Sequence, residues 1–166
     1  RVTPPRRAAV TPQRRAALTA FSMVGALLGG TLCGLLSDRL GRRRTIVLSL
    51  AGAALVIPAW AFAPSLPVLV AGAFCMQFFV QGAWGVIPAH ITELSPDSVR
   101  GFLPGFAYQC GVLLASSIAW LEAVFATTSS YHWSMAFTAG TVFALCAVVT
   151  LLGPERKGVV YGAASP

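Results

Sequence analysis

Two short stretches hold most of the side chains able to do chemistry. In GLLSDRLGRRR, Gly34 to Arg44, one carboxylate, Asp38, stands among Arg39, Arg42, Arg43 and Arg44. In PAHITELSPDSVRG, Pro88 to Gly101, Glu93 and Arg100 fall in the order E-x-x-P-x-x-x-R-G. Opposite charges in two separate segments suit ion pairing between them, and exposed pairs are worth only roughly 0 to 1 kcal/mol. Links that weak suit a switch. Asp38, Arg42, Glu93 and Arg100 are therefore expected to form a charge cluster in one conformation and to separate in another, the alternative being four independently solvated charges. Asp38 ends a helix, where exposed carbonyls disfavour negative charge. It should pair with Arg42 or face the amino terminus of another helix, the nearest in sequence opening at Gly101. Gly41 lets the backbone turn tightly between them.

The remaining polar candidates lie inside apolar runs. Gln77, Gln81 and Trp84 stand at i, i+4 and i+7, hence on one helical face; two amides can hydrogen-bond a polar solute while an indole supplies a wall. Amides joining neighbouring helices would give the same pattern. Tyr108, Gly111, Ala115 and Glu122 share a stripe of the next run, with Gln109 and Ser116 beside it. Glu122 is a carboxylate inside that run, and an intramembrane acid is by default a proton-relay or ion candidate, although its place near the run's end also suits an interfacial carboxylate. His90 could titrate near neutrality or cap a helix, and His132 should be solvated. No G-x-S-x-G, H-E-x-x-H, P-loop or paired-cysteine metal pattern occurs, so no catalytic residue, metal or cofactor is expected and the chain does not read as an enzyme. Cys33, Cys75, Cys110 and Cys146 stand singly in apolar segments, as small buried thiols rather than a disulfide framework.

These groups need elements to position them, and the composition says which kind. The 166 residues are 56% hydrophobic and 10% charged, with mean hydropathy +0.74, where soluble domains carry about 25% charged residues. Five segments, about 17–37, 45–63, 66–90, 101–126 and 133–152, approach or exceed the roughly 20 apolar residues that cross a bilayer as a helix. Ten-residue alternation that would mark a membrane barrel is missing. The fold class is an all-α membrane protein of five transmembrane helices spanning 17–153, after a basic, disordered arm, 1–16, and before a tail, 154–166. Short connections make sequence neighbours antiparallel, and Trp60, Tyr131 and Trp133 near helix ends suit the lipid interface. All seven cations after residue 16 lie in the first hinge, the 91–100 connection and the tail, which the preference of positive loops for the cytoplasm places inside. Arg39, Arg43 and Arg44 there suit lipid phosphates. The formal charge of +7 does not indicate nucleic acid, because the basic residues sit in an arm, a hinge and a tail rather than along one folded face. Gly25, Gly29, Gly30 and Gly34 form two interleaved pairs at four-residue spacing, a signal for close helix packing.

The arm carries five arginines on what would be the outer side, five is an odd number of spans, and the chain begins with Arg1. It is expected to be the carboxyl-terminal part of a longer protein, its amino-terminal helix bundle missing. A mitochondrial targeting sequence would also be arginine-rich, but the prolines break an amphipathic helix.

The run from Gly34 through Asp38, Arg39, Gly41, Arg42 and Arg43 to Arg44 resembles the cytoplasmic-loop motif of the major facilitator superfamily, and Glu93 to Gly101 is similar to a loop of its sugar-porter-like members. Met76 to Gly111, Ser116–Ser117, Leu121–Ala123 and the ending LGPERKG resemble the carboxyl-terminal half of lactate and carboxylate permeases in the sialate:proton symporter family. The resemblance implies that the five spans are helices 8–12 of twelve, with two six-helix bundles rocking about a midplane site. It further implies a membrane symporter, in a plasma membrane or bacterial inner membrane, that moves lactate-like carboxylates with protons. Gln77, Gln81, Trp84, Tyr108 and Gln109 are then substrate-binding candidates and Glu122 the proton-coupling candidate. Gly34, Asp38, Arg39, Gly41, Arg42, Arg43, Glu93 and Arg100 are candidates for a conformational switch. A sugar or sialic acid porter of the same fold, or a truncated remnant that transports nothing, are the alternatives.

Overall fold

The computed structural model describes residues 11–128 and 130–158. These form six helices, α1 (Pro12–Leu40), α2 (Arg42–Ala61), α3 (Leu66–Leu94), α4 (Leu103–Ala115), α5 (Ile118–Thr128) and α6 (Tyr131–Leu152). No strand occurs among the described residues. Five stretches are long and apolar enough to cross a membrane: α1, α2, α3, Leu103–Phe125 (through α4 and most of α5) and α6.

Two boundaries differ from the sequence expectation. Helix α1 starts at Pro12 because Thr11 caps it, its hydroxyl accepting the Arg14 N–H at 3.4 Å, with proline at the first helical position. Residues 12–16 thus belong to a helix and not to the arm, whose residues 1–10 lie outside the described ones. The span expected at 101–126 is two helices broken at Ser116–Ser117. The Ser116 hydroxyl donates to the Leu113 carbonyl at 2.6 Å, and the Ser117 N–H reaches back three residues to Leu114 at 3.3 Å. Serine competes in this way with the regular helical ladder.

Helix α3 is the centre of the bundle, packed against α1 and α2, while α6 packs on α2, α5 on α6, and α4 touches α3 lightly. Glycine makes the α1–α3 approach possible. A Cβ at Gly29 would overlap the Phe78 backbone, one at Gly25 would lie 2.5 Å from the Phe74 carbonyl oxygen, and one at Gly85 would lie 2.6 Å from that of Gly30. Gly34, the last of the expected stripe, faces open space. Cys33, Ile46, Leu50, Ala83 and Val86 form the small core between these helices.

Outward faces are apolar too. Leu27, Leu55 and Leu152 are exposed, and α4 buries no residue, as a helix bundle in lipid allows. For the same reason the expectation of four buried cysteines is corrected. Cys33 is buried, but Cys110 and Cys146 are exposed, because an apolar segment in a bilayer has no need to hide its thiols inside protein.

Candidate functional site

Most of the charged residues gather at one end of the bundle, around Arg42 in the first turn of α2. Its guanidinium fork holds three groups. Nη1 donates to Asp38 Oδ1 at 2.7 Å and to the Ser37 hydroxyl. Nη2 donates to Glu93 Oε1 at 3.0 Å, and Nε lies 3.2 Å from both Glu93 oxygens. Helix α1, the hinge and the end of α3 are thereby tied through one side chain. Glu93 and Ser37 are buried, whereas Asp38 is exposed, so the Arg42–Glu93 link is the costly one to break.

A second carboxylate works from the far end of the chain. Glu155, just beyond α6, accepts the backbone N–H groups of Arg42 at 3.1 Å and Arg43 at 2.9 Å, one on each oxygen. It caps the amino terminus of α2, where unpaired N–H groups and the helix dipole favour negative charge. Gly41 is needed here, since its φ of 99° is a left-handed value that other residues avoid and a Cβ would come within 3.2 Å of the Glu155 carboxylate.

Three further cations close helix carboxyl termini. Arg43 Nε donates to the Thr150 carbonyl at 3.0 Å and Nη2 to that of Leu151, at the end of α6. Lys157 Nζ donates to the Arg39 carbonyl at 3.1 Å, at the end of α1. Arg100 donates to the carbonyls of Thr92 at 3.1 Å and Ser95 at 3.0 Å, at the end of α3, and pairs with Asp97. Cations at these positions satisfy orphan carbonyls and oppose the negative dipole ends.

Of the four residues expected to cluster, then, Arg42 joins Asp38 and Glu93, while Arg100 caps α3. Arg43, expected at lipid phosphates, instead ties the hinge to α6. Arg44 and Arg39 are exposed. Sequence reasoning missed Glu155 and Lys157, and the available signal was a carboxylate among cations directly after the final apolar run.

The solute candidates are less concentrated. Trp84 and Tyr108 meet edge to face at 5.6 Å between ring centres. They border a groove of about 520 Å³ between α3 and α4, walled also by Ile87, Pro88, Pro104 and Val112. Pro88 has no N–H to offer the Trp84 carbonyl, so the α3 ladder is interrupted beside this groove. Gln77, Gln81 and Gln109 do not line it. Glu122 is partly buried on α5, where its backbone carbonyl accepts the Ser134 hydroxyl of α6 at 3.1 Å.

Comparison with known proteins agrees with a bundle of this kind. The profile of the Major Facilitator Superfamily matches residues 10–164. The chain therefore belongs to that superfamily, as a multi-pass membrane protein of a transporter family and not an enzyme. Its similar relatives include the carboxylic acid transporter protein homolog of Saccharomyces cerevisiae, 28% identical over 80% of this chain and 24% of the relative. Others are myo-inositol transporter 2 of Cryptococcus neoformans, 31% identical over 75% of this chain and 23% of the relative, and the facilitated glucose transporter member 3 of Gallus gallus, 31% over 82% and 28%. The chain spans about a quarter of the length of these relatives.

Proposed function

We propose that this chain is the part of a secondary transporter that carries a conformational latch, and that the carrier moves small, lactate-like carboxylates with protons by alternating access. The observation that carries the reading is the Arg42 fork, which joins two helix ends and a hinge and pairs a half-buried guanidinium with the buried Glu93 carboxylate at one end of a membrane bundle. Closed, the latch holds α1, α2 and α3 together with the α6 tail; opened, it frees the hinge to swing. The match to a carboxylic acid transporter homolog supports the substrate class. Within that reading Trp84 and Tyr108 supply the apolar wall of the α3–α4 groove, Gln77, Gln81 and Gln109 are solute contacts outside that groove, and Glu122 exchanges the coupled proton.

The myo-inositol and glucose transporters among the relatives favour a second reading, a porter for hydroxyl-rich solutes of the same fold. Uptake of labelled lactate, myo-inositol and glucose into vesicles containing the full chain, with and without an inward proton gradient, separates the two. Lactate uptake driven by the gradient and reduced at least tenfold by Gln81→Ala or Glu122→Gln supports the carboxylate reading. Uptake of inositol or glucose alone, or lactate uptake unchanged in both variants, refutes it.

A further inference from the structure

The latch leaves one group unaccounted for. His90, in the last turns of α3, is 7% exposed, and its Nδ1 is the buried side-chain polar atom left without a hydrogen-bond partner among the described residues. Three residues further along α3 stands Glu93, 5% exposed. Residues three apart on a helix are neighbours on its surface.

In this arrangement the Glu93 carboxylate is paired with Arg42. If the hinge leaves, a buried carboxylate loses its counter-charge, and such a loss weighs on the equilibrium by roughly a hundredfold or more. A latch that must open during every cycle needs a substitute. We propose that His90 is that substitute: when Arg42 departs, the imidazole takes over the Glu93 carboxylate, so the two groups exchange partners rather than leaving a bare charge.

The surroundings narrow the choice to this pair. The charged groups acting on His90 are Glu93 from its own helix, Arg42 and Arg43 from α2, and Glu155 from the segment after α6. From α1, Asp38 reaches the cluster through Arg42. Arg43 is engaged by the carbonyls at the end of α6, and Glu155 by the N–H groups of α2. Glu93 is the carboxylate that opening sets free next to His90. The strongest form of the new contact is a charge-assisted N–H to carboxylate hydrogen bond. Forming it takes one proton from water on the latch side onto the imidazole, with no covalent change elsewhere. Acid on that side therefore favours the open latch, which makes His90 a positioning residue whose effect depends on pH.

The inference rests on the latch reading, and one experiment tells their failures apart. Spin labels introduced at Arg44 and Ser98, both exposed, report the separation of the hinge from the α3–α4 connection in the full chain in lipid nanodiscs. From pH 8 to pH 5.5 the separated fraction should rise about three- to tenfold, as acid adds the proton that the imidazole–carboxylate contact takes up. His90→Leu should keep that fraction low at every pH, and His90→Gln, which donates without titrating, should give an intermediate fraction that is flat with pH. If both variants retain the wild-type rise while Arg42→Ala separates the labels, the exchange is overturned and the latch stands. One unchanging distance in wild type and Arg42→Ala alike overturns both.

Discussion

Arg42 shows why arginine, and not lysine, stands at the hinge. Its planar fork reaches Asp38, Ser37 and Glu93 through three separate nitrogens of one side chain, a spread that a compact ammonium does not offer. Removing it strands Glu93. Arg42→Ala should lower unfolding stability in detergent by about 3 kcal/mol, the range seen when a buried pair loses one partner, and adding Glu93→Gln should restore part of that loss because the stranded charge is gone. Thermal unfolding of the single and double variants checks this. An Arg42→Ala protein as stable as wild type would mean that the pair contributes no net stability. The opposite arrangement holds at Glu155, where the carboxylate serves backbone N–H groups and the side chains of Arg42 and Arg43 are engaged elsewhere.

The helices are joined in two ways, by small residues in their middles and by charges at their ends. In the middle, Gly29 lets α1 press on the backbone of α3 at Phe78, so Gly29→Ala should cost about 2 kcal/mol of stability, as overpacking does. Gly34→Ala meets open space and should be neutral or stabilising by up to about 1 kcal/mol through helix propensity. Equal unfolding temperatures for the two variants would contradict the packing described. A Gly34→Ala protein that is stable but transports poorly would show that another conformation needs a close approach there. The sequence made the five apolar runs legible because lipid demands length and hydropathy. It made the Arg42 cluster legible in part, because Asp38 and Arg42 are one turn apart. Three features were not legible. The Ser116–Ser117 break was hidden because hydropathy continues across it. The start of α1 was hidden because the basic arm obscured the Thr11–Pro12 signal. The Glu155 and Lys157 contacts join residues more than a hundred positions apart, a distance no local pattern spans.

Taken together, the molecule is a membrane bundle with unequal ends. At one end Phe62 packs on Trp133 at 4.8 Å, bringing the α2–α3 and α5–α6 links side by side. At the other, the hinge, the end of α3 and the α6 tail share one charge network. Helices α1 and α3, each of 29 residues, extend roughly 43 Å at 1.5 Å per residue, longer than the roughly 30 Å hydrocarbon core, so their charged ends reach the interface. A membrane-impermeant thiol reagent should label cysteines placed at positions 44, 98 and 157 from one side of the bilayer and at position 65 from the other; labelling of 44 and 65 from the same side would contradict this arrangement. The latch itself is tested most directly by the turnover of the transported solute, labelled lactate on the reading proposed above, per molecule of protein in the membrane, for Asp38→Asn and Glu93→Gln. Both variants should reach the membrane in normal amount and turn over at least fivefold more slowly. Turnover at the wild-type rate in both would contradict the account.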